Sequence, residues 1–561
     1  MIGDEGQNGG KIISTTEHHG LTYPLRIPVF RRIWVASVLS NLGLLILGVG
    51  AAWAMTRLTV RADMVALIQT ALMMPVMLVA LAAGAIADMF DRRKVKLAAL
   101  TVSLVGSMML TLVTISGLLQ PWSLLALCFL VGCGMALFGP AWQASVSEQV
   151  PPNALAPAIA LNSISYNIAR SFGPALGGLI VAAAGAMAAF AANALLYIPM
   201  MLVLLFWRRT RDIPRLPPER LGRAITSGVR YLFHSPPLRT VLARTLLTGL
   251  AGGSLQALMP IVARDLIGGE AEVYGLILGA FGIGSVMGAV LIPRVLARLS
   301  SNDTTVISAL LLSLCIAAEG FSHSLPLTAL ILVVAGMAWM LAVTMFNMSI
   351  QLSSPRWVAG RTLAAFQAAI AGGIAIGSWI WGSVAQQYGV STALLISAGA
   401  MLLTALVGRW LRLPESDDTG REPAELGVPE TALALTGRSG PIVIEVEYCV
   451  DPDKARAFYI AMQDVQLVRH RNGAYDWSIS RDIHDPTLWK ERFQCPTWLD
   501  YLRQRSRQTV ADAEAQQRAA QFYDPHTMRV RRSLERPFGS VRWHEDAPDP
   551  KVNQIIPGGG S

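Results

Sequence analysis

Charged residues are scarce in this chain, and their scarcity argues against an ordinary soluble protein. Only 15% of the 561 residues are charged, while 53% are hydrophobic, and the mean hydropathy is +0.45. Soluble globular proteins carry about 25% charged residues. Apolar segments recur from about Trp34 to Leu411, and each is long enough to cross the roughly 30 Å of hydrocarbon in a bilayer. We expect an all-α polytopic membrane protein, because a lipid-exposed backbone must satisfy its own hydrogen bonds.

Cysteine is also rare, with five residues and no CxxC pair. Three of them, Cys128, Cys133 and Cys315, lie in apolar segments. This pattern indicates neither a disulfide framework nor a zinc site, and we predict no metal, no other cofactor and no catalytic residue. The first 20 residues lack the basic region, apolar core and cleavage site of a secretory signal, so we expect the first helix to be retained as an anchor.

Positive charge is concentrated in alternate loops. The formal net charge is +9, which we attribute to cytoplasmic loops rather than to nucleic-acid binding. With a cytoplasmic N-terminus, the inside loops hold the basic clusters around Arg92 and from Arg208 to Arg239, whereas the outside loops hold only Arg57, Arg61 and Arg264. This asymmetry predicts two cytoplasmic termini and an even number of spans, and the breaks between apolar runs give twelve transmembrane helices.

The division of the chain follows from these breaks. A basic cytoplasmic linker joins two six-helix bundles, and a small soluble domain follows a second linker. The predicted segments are 1–30 for a polar tail, 31–208 for the first bundle, 209–238 for the linker, 239–413 for the second bundle, 414–440 for a flexible linker, 441–545 for the soluble domain and 546–561 for a final tail.

The membrane region repeats at an offset of 204 residues. The shift superposes Gly84 on Gly288 and, around spans 5 and 11, Pro151 on Pro355, Gly173 on Gly377, Gly178 on Gly382 and Gly185 on Gly389. Because six is even, duplicated six-helix halves have the same orientation and are related by an axis along the membrane normal.

A short loop between spans 2 and 3 carries both signs of charge. The segment "GAIADMFDRRKVK", Gly84 to Lys96, can pair with helix ends and charges of a neighbouring bundle and so latch one conformation; equally, its charges can serve only to keep a loop in water. It resembles the loop signature of the major facilitator superfamily at four matching positions, Gly84, Asp88, Arg92 and Arg93. Met89 and Asp91 depart from that signature.

The sequence of span 5 indicates which branch of this superfamily the chain resembles. "GPALGG", Gly173 to Gly178, is similar to the glycine-proline signature of exporters and antiporters, and the string from Gly139 to Gly178 resembles the bacterial branch that includes the enterobactin exporter. The resemblance implies a transporter of the bacterial inner membrane that exports a small amphipathic molecule, such as a siderophore or drug, by alternating access. It also implies protons as the coupling ion. The spans contain few carboxylates, and we interpret Asp63, Glu148 and Glu319 as solvated interface residues rather than proton carriers.

Polar residues share one face of span 5 with small ones. At 100° per residue, Ser163, Asn167, Arg170, Pro174 and Gly177 fall on one stripe. Gly173 and Gly177 have GxxxG spacing for close helix packing, Gly178 extends that surface, and Pro174 favours a bend.

Arg170 should face a cavity or a buried partner, because a charge costs several kcal/mol in lipid. It therefore either lines the transport path, where a cation suits anionic cargo, or bridges helices. Its counterpart at the 204 offset is Ile374, and that of Asn167 is Ala371, so the polar stripe belongs to one half only. Arg244 in span 7 is a second candidate for the path, with snorkelling to the interface as its alternative.

The last 120 residues are ordinarily polar and predict a ferredoxin-like domain with the order βαββαβ. Its strands are "PIVIEVEYCV", "AYDWSISRD", "LWKERFQC" and "MRVRRSLERP", and its helices run from Asp451 to about Arg469 and from Thr497 to Phe522. The domain resembles antibiotic-biosynthesis-monooxygenase domains, and its four histidines lack metal spacing. We expect it to dimerise or to bind cargo or a cytoplasmic partner.

Three hypotheses follow. The first is an exporter coupled to protons, with lipid and small-molecule cargo as its partners. The second is a membrane-anchored enzyme or sensor whose soluble domain carries the activity. The third is an importer of the same superfamily, which only the resemblance of "GPALGG" to exporter signatures disfavours.

Overall fold

The computed structural model describes residues 22–151, 154–207, 221–355, 358–414, 429, 431–433, 435–506, 509–525 and 527–535. Most of the predicted N-terminal tail, the first part of the linker at 209–238, most of the linker at 414–440 and the final tail at 546–561 lie outside the described residues.

Twelve helices make up the membrane region as described. They are α1 Pro28–Leu58, α2 Ala62–Met89, α3 Arg92–Ile115, α4 Pro121–Ser145, α5 Leu155–Phe206, α6 Leu221–Phe233, α7 Pro236–Ile261, α8 Ala271–Leu296, α9 Ser301–Phe321, α10 Leu325–Leu352, α11 Ala359–Tyr388 and α12 Val390–Trp410. Within the described ranges, eleven helices are long and apolar enough to cross a membrane, and the amphipathic α6 is not among them. The predicted class, a helical polytopic membrane protein, is confirmed.

Local sequence fixes where several of these helices begin. Proline occupies the first turn of α1, α4, α7 and α10, where its missing N–H is not needed and its fixed φ suits a helix. The Asp91 side chain accepts the backbone N–H of Arg93 and caps α3. The Ser300 side chain caps α9 in the same way through Asp303.

Helix α5 reverses direction near its middle. Its apolar stretch of 50 residues would be about 75 Å long if straight, more than twice the hydrocarbon thickness. Gly185 interrupts it with φ 75° and ψ 174°, a conformation that glycine adopts without a steric penalty. Before that residue, Gly173 and then Gly177 lie against Leu45 and then Val49 of α1; after it, Ala189 and then Asn193 lie against Gly50 and then Gly43. The two arms of α5 are therefore antiparallel to each other. The first runs parallel to α1 and the second antiparallel to it.

Matched positions of the 204-residue repeat make matched contacts. Gly173 packs on α1 and Gly377 packs on α7, while Gly178 packs on α8 and Gly382 packs on α2. Gly185 has φ 75° inside α5, and its counterpart Gly389 has φ 86° between α11 and α12. The contacts at Gly173 and Gly377 each lie within one half, whereas those at Gly178 and Gly382 join the two halves.

The C-terminal domain is a small sheet covered by helices. Its elements are β1 Ile442–Cys449, α13 Ala455–Arg471, β2 Tyr475–Arg481, β3 Leu488–Cys495, α14 Trp498–Ser506, α15 Val510–Ala520 and β4 Arg529–Leu534. The strand order is β2-β3-β1-β4, and all neighbours are antiparallel. The single helix expected from Thr497 to Phe522 is wrong, because two helices occupy that stretch and a capping box at Thr509 starts the second.

A buried carboxylate ties α13 to the sheet. Glu491 on β3 is fully buried and accepts hydrogen bonds from Tyr448, Trp477 and Arg469, the last with an Nε to Oε1 distance of 3.0 Å. Burial raises the pKa of the Glu491 carboxyl, but the charge of Arg469 and these hydrogen bonds outweigh it and hold that pKa below its ordinary value. The domain therefore keeps a charged pair in its core by bonding it on several sides.

Candidate functional site

Arg170 lies where the two halves meet. Its guanidinium carbon is 5.3 Å from the centroid of the Phe281 ring on α8, and Phe281 is buried. Eight residues further along α5, Gly178 is so close to α8 that a Cβ there would be 2.7 Å from the Gly275 Cα. A cation over an aromatic face is favourable, and more so when it is desolvated. The first arm of α5 thus carries its charge toward the other half.

The rest of the predicted stripe divides between two neighbours. Gly173 and Gly177 face α1 of their own half, where a Cβ would lie 2.9 Å from the Leu45 Cβ and 3.1 Å from the Val49 Cβ. Pro174 is buried, and its carbonyl oxygen lies beside Gly275. The side chains of Ser163 and Asn167 lie outside the described part of the structure, although their backbone belongs to α5. GxxxG spacing here serves packing within the first half.

Arg244 is held inside the second half. It is 4% exposed, and its guanidinium donates to Asn302 Oδ1 at 2.6 Å, to Thr305 Oγ1 at 2.7 Å and to the Leu411 carbonyl at 3.2 Å. These acceptors belong to the start of α9 and the end of α12. The buried guanidinium therefore connects three helices of one bundle through hydrogen bonds, rather than facing an open cavity.

The loop after α2 secures the first half at its basic end. Arg92 Nη1 lies 2.8 Å from Glu148 Oε1, beyond the end of α4. Arg93 donates to the carbonyls of Leu204 and Leu205 at 2.7 and 2.5 Å, which satisfies the last turn of α5. Across the halves, a Cβ on Gly84 would be 3.3 Å from the Ala364 Cβ of α11. The Asp88 side chain lies outside the described residues.

A buried lysine next to this loop was missed by the sequence reasoning. Lys96 in α3 is fully buried and donates to Ser145 Oγ at 2.8 Å. Its ammonium also lies 4.5 Å from the centroid of Trp207 and 5.5 Å from that of Trp142, which favours a cation. The signal was present in the sequence, because Lys96 is a charge one turn inside an apolar helix.

Polar side chains join the halves about two turns after the start of α2. Gln69 Nε2 on α2 donates to Gln256 Oε1 on α7 at 2.9 Å, and the next residue, Thr70, donates to the Ala375 carbonyl of α11 at 2.8 Å. Polar groups in an apolar span seek partners, but sequence alone does not say which ones.

The end opposite the basic loops carries a second set of contacts between halves. Arg57 at the end of α1 pairs with Glu270 before α8 at 3.2 Å. Arg264 donates to the Thr56 carbonyl at 3.4 Å, and Gln386 of α11 accepts the backbone N–H of Ala62 at 2.7 Å. These contacts can hold the two halves together at that end, and a movement of the halves away from each other would break them.

Glu319 is not the solvated interface residue that we expected. Its side chain is fully buried in α9, and neither carboxylate oxygen has a hydrogen-bond partner in the described part of the chain. Ionising a carboxyl in such a place is costly. The expectation was wrong because α9 packs against α10 and α12 up to its last turn, so a position near the helix end is not exposed.

Comparison with known proteins agrees with this architecture. The sequence profile of the transmembrane secretion effector family matches residues 20–538, which include the C-terminal sheet. The chain is 27% identical over 347 residues to the uncharacterized MFS-type transporter YfiS of Bacillus subtilis, a match covering 60% of this chain and 81% of that one. It is 25% identical over 246 residues to the staphyloferrin A transporter of Staphylococcus aureus, covering 44% and 62%.

A third relative and a solved structure extend the comparison. The multidrug efflux pump Tap of Mycolicibacterium fortuitum is 25% identical over 356 residues, covering 61% of this chain and 86% of the pump. The fold is similar to that of a mutant of the nucleoside transporter NupG, with a TM-score of 0.59 and 13% identity over 68% of this chain and all of that one. The predicted membership of the major facilitator superfamily is confirmed. This chain belongs to the transmembrane secretion effector family of major facilitator transporters.

Proposed function

We propose that the protein is a secondary active exporter that moves a small amphipathic molecule, of siderophore or drug type, out of the bacterial cell by alternating access coupled to proton influx. Family membership is the observation that carries this proposal. Two relatives support the cargo class, since one is named as a staphyloferrin A transporter and another as a multidrug efflux pump.

The proposed topology has twelve spans and two cytoplasmic termini in the inner membrane. The reversal of α5 at Gly185 supports the count, because each arm then crosses once. The excess of Lys and Arg in the loops around Arg92 and Arg239 supports the orientation. The C-terminal domain is proposed to be ferredoxin-like, which its strand order and helical connections support.

The proposed path runs between the halves beside Arg170. Its position over Phe281 supports a cation at the interface that moves during rocking, and such a cation suits cargo that carries carboxylate or phenolate groups. Ser163 and Asn167 remain proposed neighbours on the same helix. Gly84, Asp88, Arg92 and Arg93 remain the proposed gating loop, whereas Arg244 is better supported as a structural tie within the second half.

Everted membrane vesicles test the direction and the coupling. With an inwardly acidic proton gradient, vesicles that contain the protein should accumulate staphyloferrin A or a fluorescent anionic dye, and vesicles without it should not. Accumulation only in right-side-out vesicles would support an importer. Export that is unchanged after deletion of residues 440–561 would leave the membrane helices as the transporter and the C-terminal domain as accessory.

Glu319 is the proposed proton-carrying residue. Its burial without a hydrogen-bond partner favours the neutral acid in this conformation, and the nearest titratable side chains along the chain are Cys315 and His323. Helix α10 contains no charged residue, α12 carries only Arg409 near its far end, and Arg244 contacts α9 near Thr305, roughly 20 Å along the helix. A conformation that admits water to Glu319 would therefore let it ionise.

Reconstituted vesicles test this role. Glu319→Gln cannot release a proton, so it should abolish accumulation against a concentration gradient while keeping downhill transport. Asp303→Asn, an exposed carboxylate on the same helix, is the matched control and should behave like the unaltered protein. Full accumulation by Glu319→Gln would remove Glu319 from the proposal without affecting the transport assignment.

A further inference from the structure

The C-terminal domain contacts the membrane region through the amphipathic helix α6. Three contacts define the docking junction. The His234 and His470 rings stack with centroids 5.9 Å apart, the Arg471 guanidinium carbon lies 5.5 Å from the centroid of Tyr231, and a Cβ on Gly473 would be 2.9 Å from Arg230 Nη2. In each contact one partner, His234, Tyr231 or Arg230, belongs to α6 or directly follows it, and the other belongs to the end of α13 or the turn after it.

Both sides of the docking junction are anchored. Tyr231 and Leu232 are buried in an apolar cluster of the second half with Leu238 and Phe346. On the other side, Arg471 pairs with Asp512 on α15, and the neighbouring Asn472 donates to the same carboxylate at 3.1 Å. The histidine pair therefore lies between two segments that are each held by packing or hydrogen bonds.

The docking junction contains charged groups of both signs beside the histidine pair. The elements packed at the junction carry these titratable and charged groups: Arg230 on α6, Arg469 and Arg471 on α13, Asp512 on α15, and Tyr475 and Asp476 at the start of β2. One turn away on α6, Gly228 lies against Arg361 of α11. The two buried carboxylates are already engaged, Glu491 by Arg469 and Asp512 by Arg471. A proton added to each histidine places two positive rings face to face, with Arg230 near His470, and this disfavours the contact.

Helix α6 also touches both halves of the transporter. It packs against α2 of the first half and against α7 and α11 of the second, and Gly228 lies against the Arg361 side chain of α11. Helices α2 and α11 themselves approach at Gly84 and Ala364. A domain that holds α6 therefore holds the helices that must separate when this end opens.

We propose that the C-terminal domain is a pH-sensitive regulator, which docks on α6 through the His234–His470 pair, restrains the opening of α2 from α11, and releases α6 when the surrounding solution becomes acidic. The regulatory part rests on the proposed transport function, whereas docking and its pH dependence do not. In the proposed orientation the domain senses the cytoplasm, into which an exporter driven by proton influx delivers protons.

The direction of the pH effect follows from the surroundings of His470. Burial lowers the pKa of His470 most, the hydrogen bond with the Ala474 backbone partly opposes it, and the charges of His234 and Arg230 each add a smaller lowering effect. A histidine that is harder to protonate when docked stabilises docking fully above the ordinary histidine pKa of about 6.5. That stabilisation is lost as the pH falls below it, so acid releases the domain.

Amide hydrogen exchange of the full-length protein in lipid nanodiscs tests the docking. At about pH 5.5 compared with about pH 7.5, on either side of the ordinary histidine pKa, α6 and the last turn of α13 should exchange faster after correction for intrinsic rates. The increase should reach up to about tenfold for each histidine whose pKa docking lowers, because about pH 5.5 lies one unit below the ordinary value. Equal protection at both pH values would overturn the proposal.

Three variants separate the pair from other histidines. His234→Gln with His470→Gln should keep full protection at both pH values, and His470→Arg should expose α6 even at about pH 7.5. His484→Gln, an exposed histidine of the same domain, should respond like the unaltered protein. A double variant that loses protection in acid as the unaltered protein does would exclude the pair as the sensor.

Transport in proteoliposomes tests the regulation separately. His470→Arg should raise the initial rate at about pH 7.5 to the rate of the unaltered protein at about pH 5.5, because release removes the restraint on α2 and α11. An unchanged rate with α6 exposed would reduce the docking junction to a structural contact and overturn the regulatory role. Absence of transport by the unaltered protein would instead contradict the proposed function.

Discussion

The first arm of α5 and helix α11 occupy equivalent places in the two halves and pack on equivalent neighbours, yet only the arm of α5 carries a charge near its centre. Gly173 and Gly377 each allow close approach to the first helix of their own half, and Gly178 and Gly382 each allow close approach to the other half. Arg170, by contrast, stands opposite Ile374 in the repeat. The comparison separates packing positions that both halves share from the charge that only one half carries, and the proposed transport role of Arg170 belongs to the second class.

A substitution at the repeated glycines should give the largest effect. Adding a Cβ at Gly377 collides with the backbone carbonyl of Leu250, whereas a Cβ at Gly173 would meet the Leu45 Cβ at 2.9 Å. Gly377→Ala should lower the free energy of unfolding by about 3 kcal/mol and Gly173→Ala by about 1 kcal/mol, because overpacked helices must shift.

Thermal unfolding in detergent measures both variants. Gly399→Ala is the control, since no atom lies within 4 Å of a Cβ at Gly399. Equal melting temperatures for Gly377→Ala and the control would break the packing half of the comparison.

Arg244 sharpens the contrast between arginines. Its counterpart at the 204 offset is Ser40, which is buried, so Arg244 is also unshared, but its hydrogen bonds to described residues all lie within its half. Arg244→Ala should lower the free energy of unfolding by about 2 kcal/mol, because the acceptors on Asn302, Thr305 and Leu411 lose their donor. The exposed Arg409→Ala is the control. A normal melting temperature combined with altered cargo preference would instead place Arg244 on the path.

The exposed pair Arg57 and Glu270 should have the smallest effect. Their side chains are 65% and 73% exposed, and surface pairs of this kind contribute at most about 1 kcal/mol. A double-mutant cycle with Arg57→Ala and Glu270→Ala should give a coupling free energy under about 1 kcal/mol that falls further at high salt. A larger coupling would mean that this exposed pair holds the halves together more strongly than surface ion pairs ordinarily do.

Glycine positions explain how much of the packing was predictable from sequence. A missing Cβ has one main physical use at a helix contact, which is close approach, so Gly173, Gly178 and their counterparts indicated contacts before any coordinates were known. Proline at helix starts and the positive-φ Gly185 were readable for the same reason: few other residues suit those backbones.

The polar site was less predictable because its partners are distant in sequence. Gln69 and Gln256 are 187 positions apart, and a glutamine in an apolar span names no partner. Glu319 was misjudged because proximity to a helix end is a poor measure of burial when neighbouring helices extend as far. The two helices in place of one after β3 follow from the cap at Thr509, a short-range signal inside a stretch that otherwise has helix-favouring residues.

The most direct test of the comparison is Arg170→Ile, which gives the first half the residue of the second. We predict that the purified variant melts at the same temperature as the unaltered protein, because Arg170 contacts Phe281 without carrying the packing of α5, and that its gradient-driven transport in proteoliposomes falls at least about tenfold. Transport at the unaltered rate, or a transport loss that only follows a lower melting temperature, would contradict the assignment of Arg170 to the path.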